Sequence, residues 1–102
     1  MNVSQYGLTL AELRRQRDEI VRVASRRGAR NLHVFGSVGR GEAGPGSDLD
    51  LLVDLDADRN VLDLSELILD LQELLGVQVD IVEAQRRSES VQRLERNAVD
   101  LT

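Results

Sequence analysis

The spacing of hydrophobic residues divides the chain into helical and extended segments. Residues 9–27 and 64–75 carry apolar side chains every three or four positions, which places them on one face of a helix. Residues 31–35, 48–55 and 77–82 are short, rich in aliphatic side chains and bounded by glycine or polar turns. These three segments are therefore predicted to be strands.

Local signals mark where the predicted helices begin and end. Thr9 and Glu12 match a capping box, and Gly28 and Gly76 supply the stops of the first and second helices. A weaker helix is predicted over residues 88–97. The order helix, strand, loop, strand, helix, strand, helix predicts an α+β fold, with a small mixed β-sheet flanked by helices.

Composition narrows the possible functions. The 102 residues allow a single domain, 1–102, and their 13 basic side chains are all arginine. Without lysine or cysteine, P-loop lysines, Schiff bases, zinc ribbons and thiol nucleophiles are excluded. A net charge of −5 and two aromatic residues argue against direct nucleic-acid binding. With no segment of signal-peptide or membrane-spanning hydrophobicity, a soluble cytoplasmic protein is expected.

Two aspartates open the second predicted strand. Asp48 and Asp50 are two positions apart, so their side chains leave the same face, about 6–7 Å from each other. The other face, formed by Leu49, Leu51 and Val53, is apolar and suited to the core. Paired carboxylates at this distance favour a hard divalent cation such as Mg²⁺. Taken alone, the pattern is more typical of a polar strand end.

A third aspartate strengthens the metal hypothesis. Asp80 lies in the third predicted strand, on the face opposite Val79 and Ile81, where burial without a partner is costly. If strands two and three are neighbours, Asp80 completes a group of three carboxylates, as two-metal phosphoryl transfer requires. The alternative is an aspartate that simply emerges at a strand end.

The glycine-rich loop after the first strand suits a phosphate. Gly36 and Ser37 follow the strand directly and are expected to open a short helical turn, whose N–H groups and hydroxyl would bind an anion. Glycine allows close backbone approach. Arg40 is placed to contact a phosphate oxygen, although a solvated surface arginine is the alternative.

Other patterns in the chain carry less weight. Asp54, Asp56 and Asp58 imitate a calcium loop but lack its glycine and final glutamate, so they are expected to be solvated turn carboxylates. His33 is expected to be a strand residue without a catalytic duty.

The combined motifs resemble a known family. The pattern is Gly36-Ser37-x-x-Arg40-Gly41, then Ser47-Asp48-x-Asp50-Leu51-Leu52-Val53, then a lone Asp80. It resembles the polymerase-beta-like nucleotidyltransferase superfamily, and more narrowly the minimal nucleotidyltransferases, which are antitoxins paired with HEPN-domain ribonuclease toxins. The insert Gly44-Pro45-Gly46 departs mildly from the pattern and leaves the conformation of that loop open.

The resemblance implies a role for each matching residue. Asp48 and Asp50 would bind two Mg²⁺ ions, and Asp80 would bind the catalytic ion and assist deprotonation of the acceptor hydroxyl. The residues implied to bind the nucleotide are Gly36, Ser37, Arg40 and Ser47.

The resemblance also implies an activity and a partner. The expected reaction is Mg²⁺-dependent transfer of AMP from ATP to a hydroxyl, a tyrosine of the HEPN toxin. Because the chain has no room for an acceptor-binding domain, a partner protein in a hetero-oligomer must supply that hydroxyl. The alternative is a non-catalytic antitoxin that covers its toxin, for which the face of Leu64, Leu67 and Leu71 could serve, although core packing suits these leucines better.

Overall fold

A four-stranded mixed sheet organises the described chain. The computed structural model describes residues 7–84, 89, 92–93 and 97–102. The helices are α1 (Leu10–Arg15), α2 (Arg17–Arg26), α3 (Gly36–Gly39) and α4 (Val61–Leu75). The strands are β1 (Ala29–Phe35), β2 (Leu49–Leu55), β3 (Val79–Glu83) and β4 (Val99–Asp100). The predicted α+β fold is confirmed.

The strand order is β3-β2-β1-β4. β2 runs parallel to β3 and antiparallel to β1, and β1 is also antiparallel to β4. The short strand β4 was not predicted, because two residues are too few to show an alternating pattern. It pairs with His33 and Val34 of β1, and the N–H of Leu101 donates to the carbonyl of Leu32 at 2.9 Å.

The prediction of one helix over residues 9–27 is wrong. The structure has two helices that meet at Gln16, whose φ and ψ are −101° and 11°. Residues 14–19 are all polar and none of them is buried, so no core contact holds this stretch in one continuous helix. The predicted cap is present, since Thr9 Oγ1 accepts a hydrogen bond from the N–H of Glu12 at 3.1 Å.

The other elements differ from prediction mainly at their ends. β1 begins at Ala29 and contains a bulge between Arg30 and His33, where Asn31 has a φ of 55°. The capping box of Asn60 and Asp63 starts α4, and Gly76 in the left-handed conformation ends it. The predicted helix over residues 88–97 lies largely outside the described residues; the residues described within it, Glu89, Gln92, Arg93 and Asn97, are helical.

The core lies on one face of the sheet. Leu49, Leu51 and Val53 of β2 are at most 1% exposed and pack with buried residues of α1, α2 and α4. On the opposite face, Leu52 and Ala84 form a smaller apolar cluster. Within the described ranges, no helix has the length and hydropathy needed to span a membrane.

Candidate active site

Pairing of β2 with β3 brings two of the predicted site residues side by side. Asp50 and Asp80 are register partners in the parallel ladder, so their Cα atoms are about 5 Å apart and their side chains share a face. Asp80 is exposed and Asp50 is half-buried. β2 and β3 are therefore neighbours, as the hypothesis of a cluster of three aspartates requires.

Asp48 lies immediately before β2 and is exposed. The buried Leu49 separates it from Asp50, which leaves both aspartates on the side away from the core. Burial raises the pKa of Asp50, and the negative charges of Asp80 and then Asp48 raise it further, whereas the charge of Arg40 acts in the opposite direction. The three carboxylates thus interact, with Asp50 at their centre.

The carboxylate of Asp50 lies against the backbone of Gly36. Gly36 directly follows β1 and has a φ of +70°, and a Cβ at this position would overlap Asp50 Oδ2. Glycine is thus required both by the left-handed backbone and by the close approach. The pairing of Phe35 with Asp50 across β1 and β2 fixes this arrangement. The predicted helical turn is present as α3, and Ser37 in it is half-buried.

Ser47 closes the loop that precedes β2. Its Oγ accepts a hydrogen bond from the N–H of Gly44 at 3.0 Å, and its own N–H donates to the Gly44 carbonyl at 3.1 Å. The insert Gly44-Pro45-Gly46 therefore forms a turn that is held at its end next to Asp48. The hydroxyl hydrogen of Ser47 can still donate to a ligand.

Arg40 is exposed and bonds to a neighbour in its own loop. Its Nε donates to Glu42 Oε1 at 2.6 Å, and both side chains are largely in solvent. Such a pair contributes little to stability, so the guanidinium can exchange Glu42 for a phosphate at small cost. In the structure as described, Arg40 affects Asp50 through its charge.

The chemistry of the three aspartates fits Mg²⁺, which prefers carboxylate oxygens. Burial, and then repulsion by Asp80 and Asp48, raise the pKa of Asp50, which a bound cation would offset. Among the residues that the structure describes, no three acidic, histidine or cysteine side chains converge closely enough to enclose an ion. Asp48, Asp50 and Asp80 offer oxygen donors of the type that Mg²⁺ prefers, without forming a closed site.

Two of the three remaining acids of this segment have partners that the sequence does not predict. Asp54 lies inside β2 and not in the turn, and it accepts a hydrogen bond from Asn31 Nδ2 at 2.7 Å, whereas Asp56 forms a solvent-exposed ion pair with Arg30. Asp58 is exposed as expected. Their partners lie more than twenty residues away, so no local pattern reveals them.

His33 has the structural role that was expected. Its Nδ1 lies 2.9 Å from the carbonyl of Asn31, and its Nε2 lies 4.0 Å from Asp100. The first contact lies within β1, and the second spans β1 and β4 at the edge of the sheet.

Sequence reasoning did not single out Gln78. It precedes Asp80 by two positions, so it shares the face of Asp80, and its carbonyl accepts a hydrogen bond from the N–H of Leu49 at 2.8 Å. The predicted strand over residues 77–82 already contains Gln78, and its alternation places Gln78 on the face of Asp80.

Comparisons with known proteins agree with these motifs. The profile of the nucleotidyltransferase domain family matches residues 13–101. A protein of Methanocaldococcus jannaschii that is named as a protein adenylyltransferase is 32% identical over 75 residues, 74% of this chain and 77% of that protein. The protein adenylyltransferase MntA of Thermococcus cleftensis is 47% identical over 55 residues, 54% of this chain and 56% of that protein.

Solved structures extend the comparison to the fold. A structure described as a minimal nucleotidyltransferase has a TM-score of 0.79 and 42% identity, and covers 90% of this chain and 95% of its own. A toxin–antitoxin structure with AMP-PNP has a TM-score of 0.73 over 84% of this chain and 72% of its own, and at 20% identity it shows the fold alone. The similarity to minimal nucleotidyltransferases that the motifs indicate is thus confirmed, and the chain belongs to the nucleotidyltransferase domain family.

Proposed function

We propose that this chain transfers AMP from ATP to a hydroxyl of a partner protein in a Mg²⁺-dependent reaction, as the antitoxin of a HEPN-type ribonuclease toxin. The observation that carries the proposal is the register pair of Asp50 and Asp80, with Asp48 beside it and Gly36 against the Asp50 carboxylate. The relatives named as protein adenylyltransferases support a protein acceptor. Toxin–antitoxin complexes with this fold support a toxin partner.

The aspartates and the loop residues have different roles in the proposed reaction. Asp48, Asp50 and Asp80 would hold two Mg²⁺ ions, which when bound supply the charge that stabilises the phosphates and activates the attacking hydroxyl. Gly36 and Ser37, with Arg40 and Ser47 nearby, bind the phosphates. A carboxylate oxygen of Asp80 accepts the proton of the acceptor hydroxyl.

The bonds that change follow from this placement. The hydroxyl oxygen of the acceptor, a tyrosine in this proposal, forms a bond to the α-phosphorus of ATP. The bond from that phosphorus to the bridging oxygen breaks, and pyrophosphate leaves on the opposite side. The product is the partner carrying AMP on an ester oxygen.

The test is transfer of label from ATP labelled at the α-phosphate, with Mg²⁺ and the protein encoded beside this chain. Asp48→Asn together with Asp50→Asn should lower the rate at least about a hundredfold, because both ions lose ligands while side-chain size is kept. Asp58→Asn is the control, since the same type of substitution removes one carboxylate from an exposed turn nearby in the sequence. Transfer that survives the double substitution would refute the assignment.

Neutralisation by binding alone is the second candidate. Val61, Leu62 and Leu69 are 65, 70 and 62% exposed on α4, which favours an interaction surface there. The face of Leu64, Leu67 and Leu71 does not serve this purpose, because Leu67 and Leu71 are buried in the core, the use that the sequence favoured for them. If the double aspartate variant still suppresses RNA cleavage by the toxin, binding alone is sufficient.

A further inference from the structure

We propose that a cleft at the start of β2 and β3 binds an extended segment of the partner protein that carries the acceptor hydroxyl, and that Gln78 positions this segment. The proposal rests on the proposed function, because it concerns where the acceptor of that reaction lies. The cleft has a volume of about 490 Å³ and is lined by residues 45–47, residues 76–78 and Gln72.

The topology places this cleft beside the three aspartates. Residues 45–47 lead into β2 and residues 76–78 lead into β3, and parallel strands begin at the same end of a sheet. Asp48 comes directly after residues 45–47, and Val79 alone separates Asp80 from residues 76–78. The hydrogen bond from the N–H of Leu49 to the carbonyl of Gln78 joins the two segments where they enter the sheet.

The in-line geometry of phosphoryl transfer favours the β3 side of the site for the acceptor hydroxyl. In the strand order β3-β2-β1, Gly36 adjoins Asp50 from the side of β1, whereas Asp80 adjoins it from the side of β3. Attacking and leaving oxygens lie on opposite sides of the transferred phosphorus. With the terminal phosphates at Gly36, the hydroxyl must approach from the side of β3, where the cleft opens.

The chemistry of the cleft suits peptide backbone. The described side chains that line it are uncharged, and Ser47, Gln72 and Gln78 provide neutral donors and acceptors. Gln72 Oε1 already accepts a hydrogen bond from the backbone N–H of Val79 at 3.1 Å. Among the described residues no arginine lines this cleft, which disfavours a nucleic-acid backbone as its occupant.

An extended segment can continue from the cleft along β3. Because the N–H of Ala84 donates to the Val53 carbonyl, the alternation of β3 turns the N–H of Ile81 away from β2. No described strand lies beyond β3 on this edge. Added strands bind through backbone hydrogen bonds at such edges. The side-chain amide of Gln78 is exposed and makes no hydrogen bond to a described residue. It lies where the segment would enter the cleft.

The first experiment is steady-state transfer of labelled AMP to the protein encoded beside this chain. Gln78→Trp should raise KM for the partner about tenfold, because it fills the cleft and removes a hydrogen-bonding amide without adding charge beside Asp80, with kcat unchanged within about twofold. Gln92→Trp makes the same change at an exposed position outside the cleft. A KM that stays unchanged in Gln78→Trp, or rises equally in Gln92→Trp, overturns the proposal.

The second experiment needs no catalysis. A photo-crosslinking amino acid replaces Gln78, or Gln92 as the control, in the complex with the partner, and the crosslinked peptide is mapped by mass spectrometry. Crosslinks from position 78 to a segment with a Tyr, Ser or Thr hydroxyl support the cleft, even if no AMP transfer is found and the proposed function fails. Crosslinks elsewhere, or none, refute the cleft even where transfer occurs.

Discussion

The role proposed for Asp50 opposes stability. Burial first, and then the charges of Asp80 and Asp48, raise its pKa in the folded state above its ordinary value. The folded protein therefore binds this proton more tightly than the unfolded chain does. By linkage, the contribution of Asp50 to stability is lost as pH rises from the unfolded pKa through the folded pKa.

We therefore predict that Asp50→Asn melts at a temperature a few degrees higher than the wild type at pH 7.5. The amide removes both the desolvation and the repulsion of the carboxylate. The advantage should shrink near pH 4, where the wild-type carboxyl becomes protonated. Thermal unfolding followed by circular dichroism at both pH values measures this. A variant that is less stable than the wild type at pH 7.5 contradicts the electrostatic explanation.

Gly36 allows the backbone strain of a positive φ to be separated from a steric effect. Gly36→Ala and Gly41→Ala place alanine at nearly equal φ values, +70° and +73°, but only the first meets Asp50, since no atom of the described residues beyond its chain neighbours lies within 4 Å of a Cβ at position 41. Each variant should lose about 1–2 kcal/mol of stability.

Gly36→Ala should also lose at least about tenfold in AMP transfer, because the new methyl group displaces the Asp50 carboxylate. Urea unfolding and label transfer, run on both variants, give the two measurements. If Gly41→Ala loses transfer equally, the backbone and not the contact is responsible.

The three aspartates were predictable at the residue scale because alternation in a strand fixes which side chains share a face. Asp48 and Asp50 follow from one segment, and Asp80 needs only the pairing of β2 with β3. The contact of Gly36 with Asp50 and the bonds of Asp54 and Asp56 were not predictable. They depend on partners that the fold brings from distant positions.

At the element scale, polar side chains cap the first turn of α4. Asn60 Oδ1 accepts hydrogen bonds from the N–H groups of Leu62 and Asp63, and Asp63 Oδ2 accepts one from the N–H of Asn60. Asn60→Ala should therefore lower the free energy of unfolding by about 1 kcal/mol. Ser65→Ala, at an exposed position inside the same helix, is the control. Urea unfolding that shows equal stability for both variants would exclude a capping role.

The elements that sequence predicts well are those with several buried side chains in a regular period. β2 and α4 have such patterns, and glycine or asparagine marks their ends. The six polar residues 14–19 and the two residues of β4 have none. Their structure is set by what packs around them, so the break at Gln16 and the fourth strand appear only in the fold.

At the scale of the whole molecule, the charge excess has a local origin. The net charge is −5, and five aspartates between positions 48 and 58 match it. Arg30 and Asn31 bond to two of these, Asp56 and Asp54. By contrast, the carboxylates of Asp80 and Asp48 still repel that of Asp50.

Mg²⁺ should therefore stabilise the wild-type protein against heat. Binding to the folded state alone adds about 2.7 kcal/mol at a hundred times the Kd. The double variant Asp48→Asn with Asp50→Asn should show no such shift, and Asp58→Asn should keep it. Melting curves at increasing MgCl₂, at constant ionic strength, measure the effect. An equal shift in the double variant would show that the ion acts elsewhere.

The central position of β2 has a consequence for the timing of activity during synthesis. A ribosome that has made Asp48 and Asp50 must add about thirty more residues before Asp80 exists, and β3 must then pair beside β2. A nascent chain that ends before β3 therefore carries the proposed phosphate loop without the residue proposed to accept the proton. Under the proposed function, AMP transfer would begin only after β3 has left the ribosome and the sheet has assembled, so unfinished chains would not modify a partner.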